Sequence, residues 1–152
     1  MAAVESIEGS DYINLEAKVG KGGLNGWSDV MAVQSLLKFT EESGRIFVPG
    51  EVPEPNGIPT SDLPDLILKY QKQANREVGM REHLKEDGVI GRARGKRSWG
   101  GRNVWTIVDM NDRCRILSLT RLGSGLTGDF IRDLQDRFPA LRIAIGTPGI
   151  TF

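Results

Sequence analysis

A basic stretch between residues 92 and 102 holds the side chains best suited to binding chemistry. It has five positive charges, no negative charge and one indole ring, supplied by Arg92, Arg94, Lys96, Arg97, Arg102 and Trp99. Guanidinium groups donate paired hydrogen bonds to carboxylates and phosphates, and an exposed ring can cover the apolar face of a ligand. We therefore take these six residues, with Trp27, as candidate ligand contacts. The alternatives are a solvated loop for the stretch and core packing for the two tryptophans.

Catalytic side chains are harder to assemble. Glycan hydrolysis needs two carboxyl groups roughly 5 to 9.5 Å apart, one of them acting as an acid. Glu82, Glu86 and Asp87 are close in sequence, but a helix surface and a turn account for them. Cys114 would need His83, the only histidine, as its base, and a lone cysteine usually packs as a small hydrophobe. We predict no catalytic residues.

The composition also argues against several ligands. One cysteine and one histidine cannot build a zinc site rich in these residues, so we predict neither a metal nor a cofactor. The glycines near Lys21 and Lys96 lack the spacing of a nucleotide-binding loop. Twenty basic and twenty acidic residues leave no net charge, which argues against nucleic acid. Base stacking on Trp99 stays a lower-ranked alternative.

The length and hydropathy of the chain predict a soluble protein. Its 152 residues suit one domain with extensions. No segment approaches the roughly 20 apolar residues that span a bilayer, so no membrane partner is expected. The acidic N-terminus lacks the pattern of a secretory signal. We expect a cytoplasmic stage followed by specialised export to the periplasm or cell wall, although a trimmed signal would leave the same sequence.

The first half of the chain predicts a strand and two helices. Residues 12 to 19 alternate in polarity as a half-buried strand does. A helix then follows a glycine-rich loop, capped by Ser28 or Asp29 and ending near residues 43 and 44. Residues 44 to 61 contain four prolines and form a long loop. A second helix is capped by Asp62, has Pro64 in its first turn and ends near residues 78 and 79.

The second half predicts two more helices. The third covers Val104 to Asn111, and the fourth is capped by Thr127 and ends at Pro139. Alternation of Leu141, Ile143 and Ile145 predicts a last strand, which could pair with the first. The sequence shows no internal repeat long enough to indicate a solenoid.

Four short motifs occur in an order that resembles the small helical peptidoglycan-binding domain. They are a helix with Asp29, Val33, Gln34, Leu36 and Leu37, the pair Tyr70-Gln71, the turn Asp87-Gly88-Val89-Ile90-Gly91, and a helix opening at Thr106. The resemblance covers residues 25–111 and implies a mainly α fold: a three-helix peptidoglycan-binding-like core with long loops. Residues 1–24 would be an N-terminal extension with a strand. Residues 112–152 would add a helix, with a short terminal strand pair as an option.

Most of these motif residues have structural explanations. The apolar ones have the spacing of core residues, Gly88 and Gly91 permit unusual backbone angles, and Asp87 can bind its own turn amides. Buried Gln34 and Gln71 would need partners and could tie helices to loops. The basic stretch, inserted between the turn and Thr106, is therefore the predicted recognition site, and this insertion or the proline-rich loop could remodel the family's binding groove.

The resemblance implies non-catalytic binding to peptidoglycan, which would hold a partner or effector at the bacterial cell wall. Carboxylates and sugar faces of that polymer suit guanidinium groups and exposed rings. One alternative is a docking part or cargo of a phage-tail-like or type VI secretion apparatus, in which both insertions contact protein. Another is a small wall hydrolase whose carboxylates the sequence does not reveal.

Overall fold

The computed structural model of the protein describes residues 1–77, 82–121 and 129–146. Within these ranges the chain forms five helices and six short strands, in the order β1 (Ala3–Ile7), β2 (Ser10–Asn14), β3 (Val19–Gly20), α1 (Trp27–Glu41), α2 (Leu63–Arg76), β4 (Val89–Ile90), β5 (Ser98–Gly100), β6 (Asn103–Val104), α3 (Thr106–Arg121), α4 (Phe130–Arg137) and α5 (Ala140–Ile145). The mainly helical fold class is confirmed. None of the described helices is long and apolar enough to cross a bilayer.

The N-terminus forms a hairpin. β1 and β2 pair antiparallel, with Ala3 opposite Asn14 and Ile7 opposite Ser10. Glu8 and Gly9 at the tip have φ of 50° and 84°, and this left-handed pair matches the twist of a two-residue hairpin. The predicted strand over residues 12 to 19 is thus confirmed only in its first part. Its partner is β1, and the chain bends after Asn14 before β3.

Helix α1 is central and buried on nearly every side. It packs against α3, α4, α5 and β3, and its buried residues include Val30, Val33, Leu36 and Leu37. A helix enclosed in this way has little free surface for an amphipathic pattern. The predicted core role of its apolar residues is confirmed.

The predicted cap of α1 is wrong. The N-cap position is Gly26, and no side chain caps it. Ser28 Oγ instead accepts from the Ala2 amide at 2.7 Å and donates to the Ala144 carbonyl at 2.8 Å. Asp29 accepts from the amides of Glu16 and Ala17 at 2.9 and 3.2 Å. Both side chains tie distant segments to α1 rather than completing its first turn.

Helix α2 follows its predicted pattern, with Pro64 in the first turn and Leu66, Ile67 and Tyr70 buried. Asp62 holds the N-cap position without a capping bond from its side chain, which accepts from Thr60 Oγ1 instead. The helix ends at Arg76. The predicted end near residues 78 and 79 lies outside the described residues.

The C-terminal part differs from the prediction in two helices. α3 begins at Thr106, as the resemblance implies, and continues past Asn111 to Arg121. The helix start predicted at Val104 is wrong, because Val104 belongs to β6. α4 is confirmed, but its cap is Asp129, whose carboxylate accepts from the Arg132 amide at 3.1 Å. The predicted cap Thr127 lies outside the described residues.

The predicted last strand is wrong, because residues 140 to 145 form α5. Leu141, Ala144 and Ile145 are buried and have the i, i+3, i+4 spacing of a helix face. Ile143, which completed the alternating pattern, is 72% exposed. Strand β2 is already paired with β1, so the predicted pairing of first and last strands does not form.

Buried apolar side chains from Ala2 to Ile145 form one continuous core. α5 packs on α1 and β1, and α4 packs on α1 and α3. The division at residues 24 and 111 stays a prediction, although α3 crosses the second of these boundaries without a break.

Candidate functional site

The turn after α2 is held by one glutamine. Gln71 is fully buried on α2, and its side-chain oxygen accepts from the amides of Asp87 and Gly88 at 3.1 and 2.9 Å. Its nitrogen donates to the Val89 carbonyl at 2.9 Å and to Thr106 Oγ1 at 3.1 Å. A single side chain therefore connects α2, the turn and the start of α3, as its buried amide predicted.

Gln34 on α1 repeats this arrangement in the proline-rich loop. Its oxygen accepts from the amides of Asn56 and Gly57 at 2.9 and 2.7 Å, and its nitrogen donates to the Ile58 carbonyl at 3.0 Å. Asn56 Oδ1 accepts from the Ile58 amide. The prediction that both glutamines tie helices to loops is confirmed.

The two networks share the same bonds to their turns, and Gln71 adds the bond to Thr106 Oγ1. Asp87 Oδ1 accepts from the Val89 amide at 3.1 Å, as Asn56 Oδ1 does from Ile58 at 2.9 Å. Gly57 and Gly88 have φ of 76° and 70°, which a glycine adopts without strain. The repeat was missed in the sequence because Gln34 precedes Asn56 by 22 residues and Gln71 precedes Asp87 by 16.

A pocket lies beside the second of these turns. Its volume is about 230 Å³, and it is lined by Lys18, Lys85, Asp87, Val89, Gly91, Trp99, Val104, Trp105 and Thr106. We call it the tryptophan pocket. Asp87, Gly91 and Thr106 thus border a cavity. The predicted unusual backbone angle is confirmed for Gly88, with φ of 70°, but it is wrong for Gly91, which has no positive φ and open space around its Cβ position.

Two indole rings form the wall of the tryptophan pocket. Their centroids are 6.5 Å apart and their planes are tilted by 54°. Trp99 belongs to β5 of the hairpin β5–β6 and is 46% exposed. Trp105 immediately precedes α3 and donates its backbone amide to the Arg97 carbonyl at 3.3 Å. The inserted stretch thus contains a hairpin at residues 98 to 104, while residues 92 to 97 are neither helix nor strand. Trp99 of this hairpin lies beside the turn.

Charged groups of both signs border the tryptophan pocket. Lys85 Nζ lies 3.8 Å from Asp87 Oδ2, and the side chain of Lys85 is 71% exposed. Asp87 Oδ1 is engaged by Gln71 and by the Val89 amide. Lys18 comes to the pocket because it precedes β3, which pairs with β4. Two lysines and one aspartate thus border the pocket.

Two of the predicted ligand contacts form ion pairs within the fold. Arg92 pairs with Glu5 at 2.9 Å. Arg97 pairs with Asp112 at 2.7 Å and donates to Tyr12 Oη at 2.8 Å, and the neighbouring charges, Asp112 first, raise its pKa against the opposing effect of burial. These arginines fasten the insertion to the N-terminal hairpin and to α3.

The remaining predicted contacts do not meet at one place. Arg94, Lys96 and Arg102 are exposed, and none of them is among the residues that line the tryptophan pocket. Trp27 is 44% exposed and packs on Gly57, where an added Cβ would lie 2.3 Å from its Nε1. The interpretation that Trp27 packs in the core is therefore wrong. Of the seven candidates, Trp99 alone lines this pocket.

Sequence reasoning missed Lys18, Lys85 and Trp105. Lys85 and Trp105 had a usable signal, since each lies within two residues of a motif residue, Asp87 and Thr106 respectively. Lys18 had none, because its position depends on strand pairing across about seventy residues.

A larger cavity of about 530 Å³ lies along α3, lined by Glu42, Ser43, Arg45, Glu77, Asp109, Asp112, Arg113, Ile116, Leu117 and Thr120. Its central charges are paired within the fold. Arg113 binds Glu77 at 2.8 Å and Asp109 at 3.5 Å, and Tyr70 donates to Asp109 at 2.6 Å. Burial raises the pKa of Asp109 and of Tyr70. Because these groups satisfy one another, the cluster is best explained as a structural network.

The cysteine and the histidine considered as a nucleophile and its base differ in burial. Cys114 is fully buried, its Sγ contacts the Leu36 carbonyl, and burial raises its pKa, which disfavours the reactive thiolate. His83 is exposed. Glu82 and Glu86 lie outside any helix, so their helix-surface interpretation is wrong, and they pair with Arg97 and Asn75 respectively.

No group of three or more potential metal ligands occurs in the described parts of the chain. The comparisons add no assignment: no family model, curated protein or solved structure gives a significant match to this sequence.

Proposed function

We propose that this chain is a non-catalytic peptidoglycan-binding module that recognises the bacterial cell wall through the tryptophan pocket. Residues 25–111 would form a three-helix peptidoglycan-binding-like core that holds a partner or effector at the wall after specialised export. One observation carries the proposal: the turn that resembles the family borders a pocket lined by two tryptophans and two lysines.

The chemistry of the pocket fits the wall polymer. Peptidoglycan carries carboxylates on its stem peptides, which Lys18 and Lys85 attract, and apolar sugar or side-chain faces, which an indole covers. Asp87 is the one carboxylate among the described lining residues, and a backbone amide binds one of its oxygens. A hydrolase of the usual kind needs two such groups. Binding is therefore favoured over cleavage.

Cosedimentation with purified insoluble peptidoglycan tests the proposal. Trp99→Ala should lower the association constant, obtained from the retained fraction at increasing amounts of peptidoglycan, at least about fivefold, since a stacked ring contributes about 1 kcal/mol or more. Trp27→Ala is a matched control, because Trp27 is 44% exposed against 46% for Trp99 and is absent from the lining of the pocket. Circular dichroism verifies that both variants fold. Equal loss in the two variants would contradict the assignment of the site.

A second pair of variants separates the pocket from the basic stretch. Lys85→Gln should weaken retention and reduce its salt sensitivity, whereas Lys96→Gln should leave both nearly unchanged. Both lysines are exposed, but only Lys85 lines the pocket. If Lys96→Gln has the larger effect, the original assignment to the basic stretch is correct and the pocket assignment is wrong.

Docking within a phage-tail-like or type VI secretion apparatus is a second candidate function. It is favoured by exposed apolar side chains at the Asn56-Gly57 turn, where Trp27 is 44% and Ile58 61% exposed. Under this alternative the protein is not retained on peptidoglycan, and a stable complex in native extract depends on Trp27. Release of soluble muropeptides in the same assay would instead show a hydrolase.

A further inference from the structure

The tryptophan pocket is too small for an extended glycan. Its volume of about 230 Å³ falls below the roughly 300 to 1,000 Å³ typical of pockets for drug-sized ligands. A group the size of one amino acid fits such a space, with its apolar part against the indole wall.

The charges at the rim are arranged for a ligand that carries both signs. Lys85 Nζ and Asp87 Oδ2 are 3.8 Å apart, so a cation and an anion lie side by side at the rim, as the ammonium and carboxylate of one α-amino acid do. Their side chains are 71% and 34% exposed, and an exposed ion pair of this kind contributes little by itself. A ligand can therefore insert between them at small cost, with Lys18 offering a second cation to its carboxylate.

We propose that the tryptophan pocket binds a zwitterionic α-amino-acid head, whose ammonium contacts Asp87 and whose carboxylate contacts Lys85 and Lys18. This inference rests on the proposed function, and it names the part of the wall polymer that is recognised. In a stem peptide such a head occurs at the free end of a meso-diaminopimelate side chain. An L-lysine in the same position ends in an ammonium alone.

The first turn shows which substitution at Asp87 should leave the second turn intact. Asn56 occupies in the first turn the place of Asp87 in the second, and its oxygen makes the same bond to the amide two residues later. Asp87→Asn therefore removes the negative charge while leaving the acceptor that the turn requires. Lys85→Met removes the cation, and Lys96→Met is its control outside the pocket.

Titration calorimetry with the full chain tests the inference. The probes are L-alanyl-γ-D-glutamyl-meso-diaminopimelate and the same tripeptide with L-lysine at its third position. We expect the diaminopimelate peptide to bind at least about tenfold more tightly, because charge-assisted hydrogen bonds to its extra carboxylate are lost with lysine. Asp87→Asn and Lys85→Met should each weaken its binding about tenfold or more, and Lys96→Met less than twofold.

Two results would overturn the inference: equal affinity for both tripeptides, or unchanged affinity in Asp87→Asn. Its failure is separable from failure of the proposed function. Retention on insoluble peptidoglycan that depends on Trp99, without discrimination between the tripeptides, would leave wall binding standing and remove the zwitterion site. If the protein discriminates between the tripeptides but is not retained on insoluble peptidoglycan, the zwitterion site stands and the proposed wall-binding function is wrong.

Discussion

Two buried glutamines account for much of the order in the loops of this protein. Each uses one side-chain amide to satisfy two successive backbone amides and one carbonyl of a tight turn. Buried backbone groups without partners are costly, so these side chains replace hydrogen bonds that strands or helices would otherwise supply. The turn beside the tryptophan pocket is positioned from α2 by this means.

Replacement of Gln71 by alanine should therefore destabilise the fold. Removing it leaves the amides of Asp87 and Gly88 without their acceptor, and we expect a loss of about 2 kcal/mol in the free energy of unfolding. Urea denaturation followed by circular dichroism measures the change. Gln73→Ala on the same helix, where the side chain is partly exposed, should cost less than about 0.5 kcal/mol. Similar losses for both variants would show that the network is not responsible.

The role of a residue was predictable from the sequence where its side chain had only one kind of hydrogen-bonding partner within reach. Gln34 and Gln71 stand among apolar residues at helical spacing, so burial and a polar partner followed from sequence. Arg92 and Arg97 had several possible partners, and their pairing with Glu5 and Asp112 depends on how the N-terminal hairpin meets α3. Charge density in the sequence identified the segment but not which of its side chains were free to bind.

At the scale of elements, the proline-rich loop is a long connection fastened to two helices. Glu41 Oε1 accepts from the Val52 amide at 2.9 Å, and Lys38 Nζ donates to the Val52 carbonyl at 2.7 Å. The neighbouring residue Glu51 is bound by Lys69 of α2, with one bond of 2.8 Å. Phe47 is 1% exposed and anchors the loop in the core. The predicted connecting loop is confirmed. It is anchored at its buried residues Ile46, Phe47, Val52 and Gly57, and most of its other residues are exposed.

The Glu51 contact makes attachment of this loop dependent on pH. Hydrogen bonds from Lys69 hold the pKa of Glu51 below its ordinary value of 4.5. A carboxyl whose pKa is lower in the folded state stabilises the fold above its unfolded pKa, and that contribution is lost as the pH falls through the folded pKa. Wild type should exceed Glu51→Gln by about 0.5 kcal/mol at neutral pH, since the pair is partly exposed.

Urea denaturation of both proteins across the acidic range tests this expectation. The stability difference should shrink as the pH falls below 4.5. Glu54→Gln is the control, because the Glu54 side chain is 79% exposed and lies 3.8 Å from its partner Lys38. A difference for Glu51→Gln that grows toward acidic pH would contradict the assigned sign.

Pairing of β3 with β4 requires a glycine as the last residue of β3. Gly20 has φ of 111°, and an added Cβ would lie 2.2 Å from the Gly88 carbonyl oxygen. The same oxygen accepts from the Lys21 amide at 3.2 Å, so it cannot move away without breaking the pairing. Close contact between these two backbones is what places Lys18 beside the turn.

Gly20→Ala should therefore lower the free energy of unfolding by about 3 kcal/mol or more, because backbone strain and displacement of the Gly88 carbonyl act together. Gly44→Ala is the matched control, since Gly44 has φ of 68° and open space around its Cβ position. It should cost only about 1 kcal/mol, the penalty for a left-handed residue. Thermal unfolding of both variants measures the difference, and equal shifts would mean that contact with Gly88 is unimportant.

Helices and strands were predictable from the sequence where a hydrophobic pattern of a single period extended over a long segment. The stripe of α2 and the apolar face of α4 gave the right helices. The six residues of α5 satisfied a two-residue and a helical period equally well, and burial against α1 decided between them. Ser28 and Asp29 are ordinary capping residues, but their side chains bind Ala144 and the chain after β2, contacts that no local pattern shows.

For the whole molecule, the segment that lacks a counterpart in the resembled family is part of the core. Leu134, Leu141 and Ala144 are each fully buried, and α5 packs against the central helix. Burying one such leucine contributes about 1.5 to 3 kcal/mol, which is a large share of the stability of a small domain.

A fragment of residues 25–111 should therefore fail to fold alone. Without the C-terminal helices, α1 exposes its apolar surface, and α3 loses its second half. We expect the fragment to lack a cooperative thermal transition and dispersed amide resonances, both of which the full chain of residues 1–152 should show. Cooperative unfolding of the fragment would establish it as an independent module and support the predicted division.

The tilted pair of Trp99 and Trp105 gives the molecule a built-in optical reporter. With ring centroids 6.5 Å apart, we expect the strong electronic transitions of the two indoles to couple and to give a paired signature in the far-ultraviolet dichroism. Any occupant that separates or reorients the rings alters that signature, while Trp27, at the other turn, supplies an unchanged emission background. The protein thus signals the state of its own cavity without an added dye, and screening for ligands becomes a spectroscopic measurement.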